Sequence, residues 1–135
     1  MDFAKPLALM AALMLAGAAR AADDTPLTAE AFDALTLGKT MDTASGGTVY
    51  GIETFLPGRR VVWRDARRCV EGRWQQVADE ICFTYADKPD RPVCWLYFDR
   101  GDRIEGRHSA ALPGSDPIVL TPGDGPISCD GFLGA

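Results

Sequence analysis

Turn-forming residues interrupt the second half of this chain so regularly that no long helix fits there, and that rhythm constrains the fold more than any other feature. From Val49 onward, short runs rich in β-branched and aromatic residues alternate with clusters of Gly, Pro and Asp. The runs cover residues 49–55, 60–64, 72–77, 81–85, 93–98, 103–107 and 117–120. The breaks between them include Pro57-Gly58, Ala78-Asp79, Asp87-Lys88-Pro89-Asp90-Arg91-Pro92 and Asp99-Arg100-Gly101-Asp102. Short strands separated by turn signals every eight to twelve residues or so are the pattern of an antiparallel meander. The fold expectation is mainly β, with the meander closed as a small barrel or folded as a sandwich.

One helix precedes the strands. Residues 28–35 carry Thr28 in the N-cap position and Glu30 in the first turn, Phe32 and Leu35 form an apolar face with the preceding Leu27, and Gly38 ends the run. Residues 22–26 read as a loose lead-in, and 121–135 as an irregular tail. Around Pro57-Gly58 the dipeptide has the type II turn signature. If Leu56 opposes Arg59 there, Ile52 opposes Trp63 and Thr54 opposes Val61. That register puts Ile52, Thr54, Val61 and Trp63 on the core face, with Glu53, Phe55, Arg60 and Arg64 on the other.

The first residues set the compartment. Residues 6–19 form an uncharged stretch of 14 residues, shorter than the roughly 20 that span a bilayer. Ala19-Arg20-Ala21 follows with the small-x-small spacing a signal peptidase reads, and Asp23-Asp24 marks an abrupt change of composition. The expectation is a signal peptide over 1–21, a mature chain beginning at Ala22, and a periplasmic or secreted protein with no stable membrane insertion. A mature chain of 114 residues is one domain with a modest core.

Cysteine usage agrees with export. Cys69, Cys82, Cys94 and Cys129 all lie in the mature part, and an even count in a small exported chain favours two disulfides. Three connectivities are open. Cys82 and Cys94 flank the turn-rich stretch 87–92, and directly opposed strand residues come close enough to bridge. Cys82–Cys94 then leaves Cys69–Cys129, which would tether the tail. There is no C-x-x-C, and His108 is the only histidine, so no metal-ligand pattern is present.

Charge narrows the function. Removing residues 1–21 takes Asp2, Lys5 and Arg20 and leaves 12 basic and 18 acidic residues, a net charge of −6. That balance disfavours nucleic acid, whose phosphates call for an electropositive face. Within it, Arg59, Arg60, Arg64, Arg67, Arg68 and Arg73 form a local basic cluster that suits a small anionic ligand or an acidic protein surface. The same arginines also serve simply to keep a hairpin face solvated. Trp63, Trp74 and Trp95, with Tyr85 and Tyr97, are candidates for lining a cavity or for filling the core. Gly72-x-Trp74 has the form of the element that plugs one end of lipocalin barrels, here placed mid-chain. No nucleophile elbow Gly-x-Ser-x-Gly occurs, and no catalytic or cofactor motif stands out.

The run 50–63, with Gly72-x-Trp74, Ile81-Cys82-Phe83-x-Tyr85 and Cys94-Trp95, resembles a group of small exported β-rich proteins of Gram-negative bacteria. The likeness covers residues 35–98. In that group the last Cys is followed by Pro-Gly, where this chain has Asp130-Gly131. The group has no settled activity, so the resemblance implies fold and compartment but no site residues. The functional expectation is a non-catalytic binding or interaction module outside the cytoplasm. Its alternatives are a small-ligand carrier with a lipocalin-like barrel and, by analogy of fold alone, an inhibitor of a periplasmic hydrolase.

Overall fold

The computed structural model describes residues 24–132; the expected signal peptide and its cleavage site lie outside them. Helix α1 (Ala29–Thr36) is followed by eight strands: β1 (Thr40–Ser45), β2 (Thr48–Leu56), β3 (Arg60–Asp65), β4 (Cys69–Val77), β5 (Glu80–Tyr85), β6 (Val93–Asp99), β7 (Ile104–His108) and β8 (Ile118–Pro122). Each strand pairs antiparallel with the next, and β8 returns to β1, so the meander closes as a barrel and not as a sandwich. Closure removes both free sheet edges. Among the described residues no helix is long and apolar enough to cross a membrane.

Strand β1 is absent from the sequence expectation. Its residues, Thr40-Met41-Asp42-Thr43-Ala44-Ser45, carry only one large apolar side chain, so no β signal stands out. It forms because β2 and β8 both present unpaired edges to it, and it is hydrogen-bonded to each. Tertiary pairing overrides a weak local preference.

The β2–β3 hairpin differs from expectation by one residue. Pro57–Arg59 forms a single 3₁₀ turn, and both Gly58 (φ 75°) and Arg59 (φ 57°) take the left-handed conformation. The turn therefore uses three residues, and Leu56 opposes Arg60, Thr54 opposes Val62 and Glu53 opposes Trp63. A slip of one residue exchanges the faces of a strand. Phe55 and Glu53 consequently point into the barrel with Val61 and Trp63, while Ile52 and Thr54 face outward. Phe55 is 2% exposed.

Helix α1 plugs one end of the barrel. The Thr28 hydroxyl accepts from the Ala31 N–H (3.2 Å), the N-cap read from the sequence. The Ala29 N–H donates to Gln76 Oε1 on β4 (2.7 Å), and the Leu27 N–H to the Tyr97 carbonyl on β6 (2.7 Å), which anchors the helix across the opening. Phe32 is fully buried. Its ring stacks on Tyr97 at 4.7 Å and meets Trp74 and Phe55 edge-on at 5.1 and 5.6 Å. Burial of one such ring stabilises by about 1.5–3 kcal/mol.

Both expected disulfides are present. Cys82 and Cys94 oppose each other on β5 and β6 with Cα atoms 4.0 Å apart, and Cys69–Cys129 spans 60 residues of sequence. The tail is more regular than expected, since β8 runs to Pro122. Beyond it the chain crosses the outer face of β1 and β2. The Gly123 N–H bonds the Thr40 carbonyl (2.9 Å), and the Ile127 N–H bonds the Thr54 hydroxyl (3.0 Å). This strap is why Thr40 and Thr54, outward-facing residues that share a 2.7 Å hydrogen bond, are buried.

Candidate functional site

The half of the barrel nearest α1 is filled by Phe32, Phe55, Trp74 and Phe83. Toward the other end the packing opens. Three inward positions there are glycine, and each is covered by a large side chain of a neighbouring strand. A β-carbon at Gly51 would overlap the Trp63 indole, at Gly72 it would meet the Tyr85 ring (2.7 Å), and at Gly106 the Ile118 and Tyr97 side chains (2.7 and 2.8 Å). Glycine on these strands lets the rings lie flat along the wall.

These rings enclose a cavity of about 170 Å³ at the open end. Six aromatic side chains stand in its wall: Tyr50, Trp63, Phe83, Tyr85, Trp95 and Tyr97. Tyr50, 45% exposed, stands at the rim with its ring 6.0 Å from Trp63. Trp63 donates its indole N–H to Asp65 Oδ2 (2.9 Å), which fixes that ring.

Glu53 is set into this wall from the middle of β2 and is 6% exposed. The Tyr85 hydroxyl donates to its Oε2 at 2.6 Å. Burial pushes the carboxyl up to about 8, and the Tyr85 hydrogen bond and the Arg68 charge offset this only in part. Near neutral pH the group therefore holds its proton more often than not. Burial, and next the Glu53 carboxyl, raise Tyr85 and Tyr97 well above the usual phenol range.

Three polar groups in the wall have no hydrogen-bond partner among the described residues: the second Glu53 oxygen, the Tyr97 hydroxyl and the Thr43 hydroxyl. Tyr97 and Thr43 are each 3% exposed. Yet no sealed side-chain oxygen or nitrogen of the described interior lacks a partner. The three atoms thus open on the cavity they line. Buried polar groups are normally paired, and a few polar groups converging in an apolar hollow are the make-up of a small-molecule site.

At the rim, Arg68 pairs with Asp87 at 2.7 Å and lies over the Tyr85 ring at 5.1 Å. Burial would raise the Asp65 carboxyl, but hydrogen bonds from Trp63, Arg67 and Arg68, together with the Arg68 charge, hold it below the usual range.

The six arginines do not form one patch. Arg59 lies over the Trp74 ring at the plugged end (4.9 Å). Arg60 and Arg73 are exposed cross-strand neighbours on the outer face. Arg64 faces outward opposite Cys69. Arg67 and Arg68 belong to the loop at the mouth. A larger groove of about 380 Å³ runs along the outer face past Leu56, Arg60, Val62, Arg73 and Pro89, away from Glu53. Of the tryptophans, Trp63 and Trp95 line the cavity, while Trp74 is core. His108 is exposed, with its ring edge-on to Trp95 at 5.2 Å. Glu80, Cys82 and Cys94 come close enough to share an ion, but both sulfurs are committed to the disulfide.

Tyr85 and Tyr97, candidates for a cavity wall from the sequence, do line it, whereas Glu53 and Thr43 carry no such signal there. Phe55 held the signal. It is the largest apolar residue of its run, and choosing it as inward-facing brings Glu53 and Gly51 in with it by the two-residue period. No protein-family model, curated protein or solved structure matches this chain.

Proposed function

We propose that this chain is a non-catalytic binding protein of an extracytoplasmic, oxidising compartment, and that it takes up a small amphipathic ligand in the mouth of its barrel. Two disulfides and the N-terminal sequence support the compartment. The observation that carries the ligand reading is the meeting in one aromatic cavity of three deeply set polar atoms without a hydrogen-bond partner among the described residues: the second Glu53 oxygen and the Tyr97 and Thr43 hydroxyls. A cavity of about 170 Å³ compares with the ~150 Å³ that accommodates a benzene molecule. The ligand, or the part of it that enters, is therefore about the size of one ring.

The test is a set of single-ring compounds, charged and uncharged, titrated into the oxidised protein. Emission from Trp63 and Trp95 reports occupancy. Saturable binding is expected, and Thr43→Met, which fills the cavity, should weaken it at least tenfold. Binding unchanged by that substitution places the ligand elsewhere and overturns the reading.

A second reading, recognition of an acidic protein surface, rests on Arg60 and Arg73. They stand side by side at the outer groove with Leu56 and Val62 between strands β2 and β4. It predicts salt-sensitive association that Arg73→Glu abolishes; association indifferent to that change removes it.

A further inference from the structure

Resting on the reading of the mouth cavity as a ligand site, we propose that its ligand is an organic cation, an ammonium-type head on a body of about one ring, held by the Glu53 carboxylate inside a cage of aromatic rings. Four observations lead there.

The first is the wall. Tyr50, Trp63, Tyr85, Trp95 and Tyr97 surround the cavity from β2, β3, β5 and β6. The faces of such rings carry negative potential and attract cations, most strongly where water is excluded. The second is the free oxygen of Glu53, which opens on the cavity while its partner oxygen is held by Tyr85. A carboxyl group among ring faces matches an ammonium and opposes an anion. The third is the charge around the mouth. Glu53 and Asp65 are acidic, and Arg68 is the one basic side chain in the lining. Arg68 is already matched by Asp87 at 2.7 Å. The fourth is the set of partners left for a substituent on the ligand, the Tyr97 and Thr43 hydroxyls, each able to donate or accept.

Entry of a permanent cation has a proton consequence. In the free protein Glu53 holds a proton near neutrality; beside a bound cation the carboxylate is the favoured form. The proton leaves the carboxyl oxygen for solvent as the cation enters, and no other bond changes. Affinity should therefore rise with pH, by up to tenfold per unit, and level off once Glu53 is ionised in the free protein. The other groups facing Glu53 are Tyr50 on β2, Asp65 on β3, Arg68 in the β3–β4 loop, Tyr85 on β5 and Tyr97 on β6. The three tyrosines are raised, by burial first, and stay neutral in this range. Asp65 is lowered and stays ionised. The guanidinium keeps its charge throughout. Glu53 alone is left to titrate.

Three probes of one ring separate the cases: benzyltrimethylammonium, benzyl alcohol and benzoate. Each is titrated into the oxidised protein by calorimetry at pH 6, 7 and 8, in two buffers of different ionisation heat. The cation should bind at least tenfold more tightly than the alcohol at pH 8 and should gain at least tenfold between pH 6 and pH 8. The two buffers should show proton release at pH 7. Glu53→Gln should cost the cation at least tenfold at pH 8, flatten its pH profile and remove its advantage over benzyl alcohol. If that variant does not fold, Tyr85→Phe removes the hydrogen bond that favours the carboxylate and should move the levelling-off to higher pH; an unmoved profile overturns the proposal. Benzoate or benzyl alcohol binding as tightly as the cation also overturns it while sparing the ligand site. Failure of all three probes and of the wider single-ring set overturns the site itself.

Discussion

Glu53→Gln should make the folded protein more stable, and increasingly so as pH rises. In the unfolded chain Glu53 titrates near 4.5, whereas burial raises the folded value to about 8. Below pH 4.5 both states are protonated and the group has no differential effect. Between 4.5 and 8 the unfolded chain gives up its proton and the folded protein keeps it. Each pH unit in that window lowers the stability of the wild type by about 1.4 kcal/mol, and above pH 8 the loss levels off. The full window is worth about 5 kcal/mol, a large share of the 5–15 kcal/mol typical of a domain. Glutamine is neutral at every pH and can still accept from the Tyr85 hydroxyl, so it copies the protonated form. Urea unfolding of oxidised wild type and variant at pH 5, 6.5 and 8, followed by tryptophan emission, gives the difference directly. Other titrating groups act alike in both proteins and cancel. The variant should gain on the wild type by about 4 kcal/mol from pH 5 to pH 8. A difference that stays constant over that range would mean that Glu53 titrates as an exposed carboxyl does, and the argument from its burial would fail.

Two further outcomes follow from the wall and the cross-links. Gly51→Ala puts a methyl group into the Trp63 indole; it should destabilise by roughly 1–3 kcal/mol and shift tryptophan emission, and an unchanged spectrum would show that the ring does not lie against β2. Replacing Cys69 and Cys129 by serine should cost about 4 kcal/mol, against about 3 for Cys82 and Cys94, since the closed loops span 60 and 12 residues; urea midpoints reversed in order would contradict the loop-entropy account.

Much of the barrel was legible because its signals are local. Thr28 announces the helix start through a side chain that can reach a backbone N–H three residues on. Cys82 and Cys94 announce their pairing by sitting in two apolar segments joined by one turn-rich stretch. What escaped depends on events elsewhere in the chain. Strand β1 is specified by two partner edges and not by its own residues. The hairpin faces turned on whether Arg59, a residue with no strong turn preference, would adopt a positive φ; it does, and the register moved by one. That single residue decided whether Glu53 counted as a solvated charge or as the buried acid of a cavity. Spacing alone does not contain the answer, because either register keeps the alternation intact. The arginines illustrate the converse: close in sequence, they are dealt by successive strand reversals to the plugged end, the outer wall and the mouth.

The Cys69–Cys129 bridge also shortens a search. Barrel closure requires β8 to find β1, a pairing between Ser45 and Ile118 at opposite ends of the meander. In a chain without cross-links that contact must wait for a long loop to close, and non-local pairings of this kind slow folding. With Cys69 joined to Cys129, the covalent path from Ser45 to Ile118 runs through the bridge and is roughly half as long. The final strand is delivered to the neighbourhood of β3 and β4 before any sheet exists. An oxidised chain therefore begins to refold with the seam of the barrel already half drawn together.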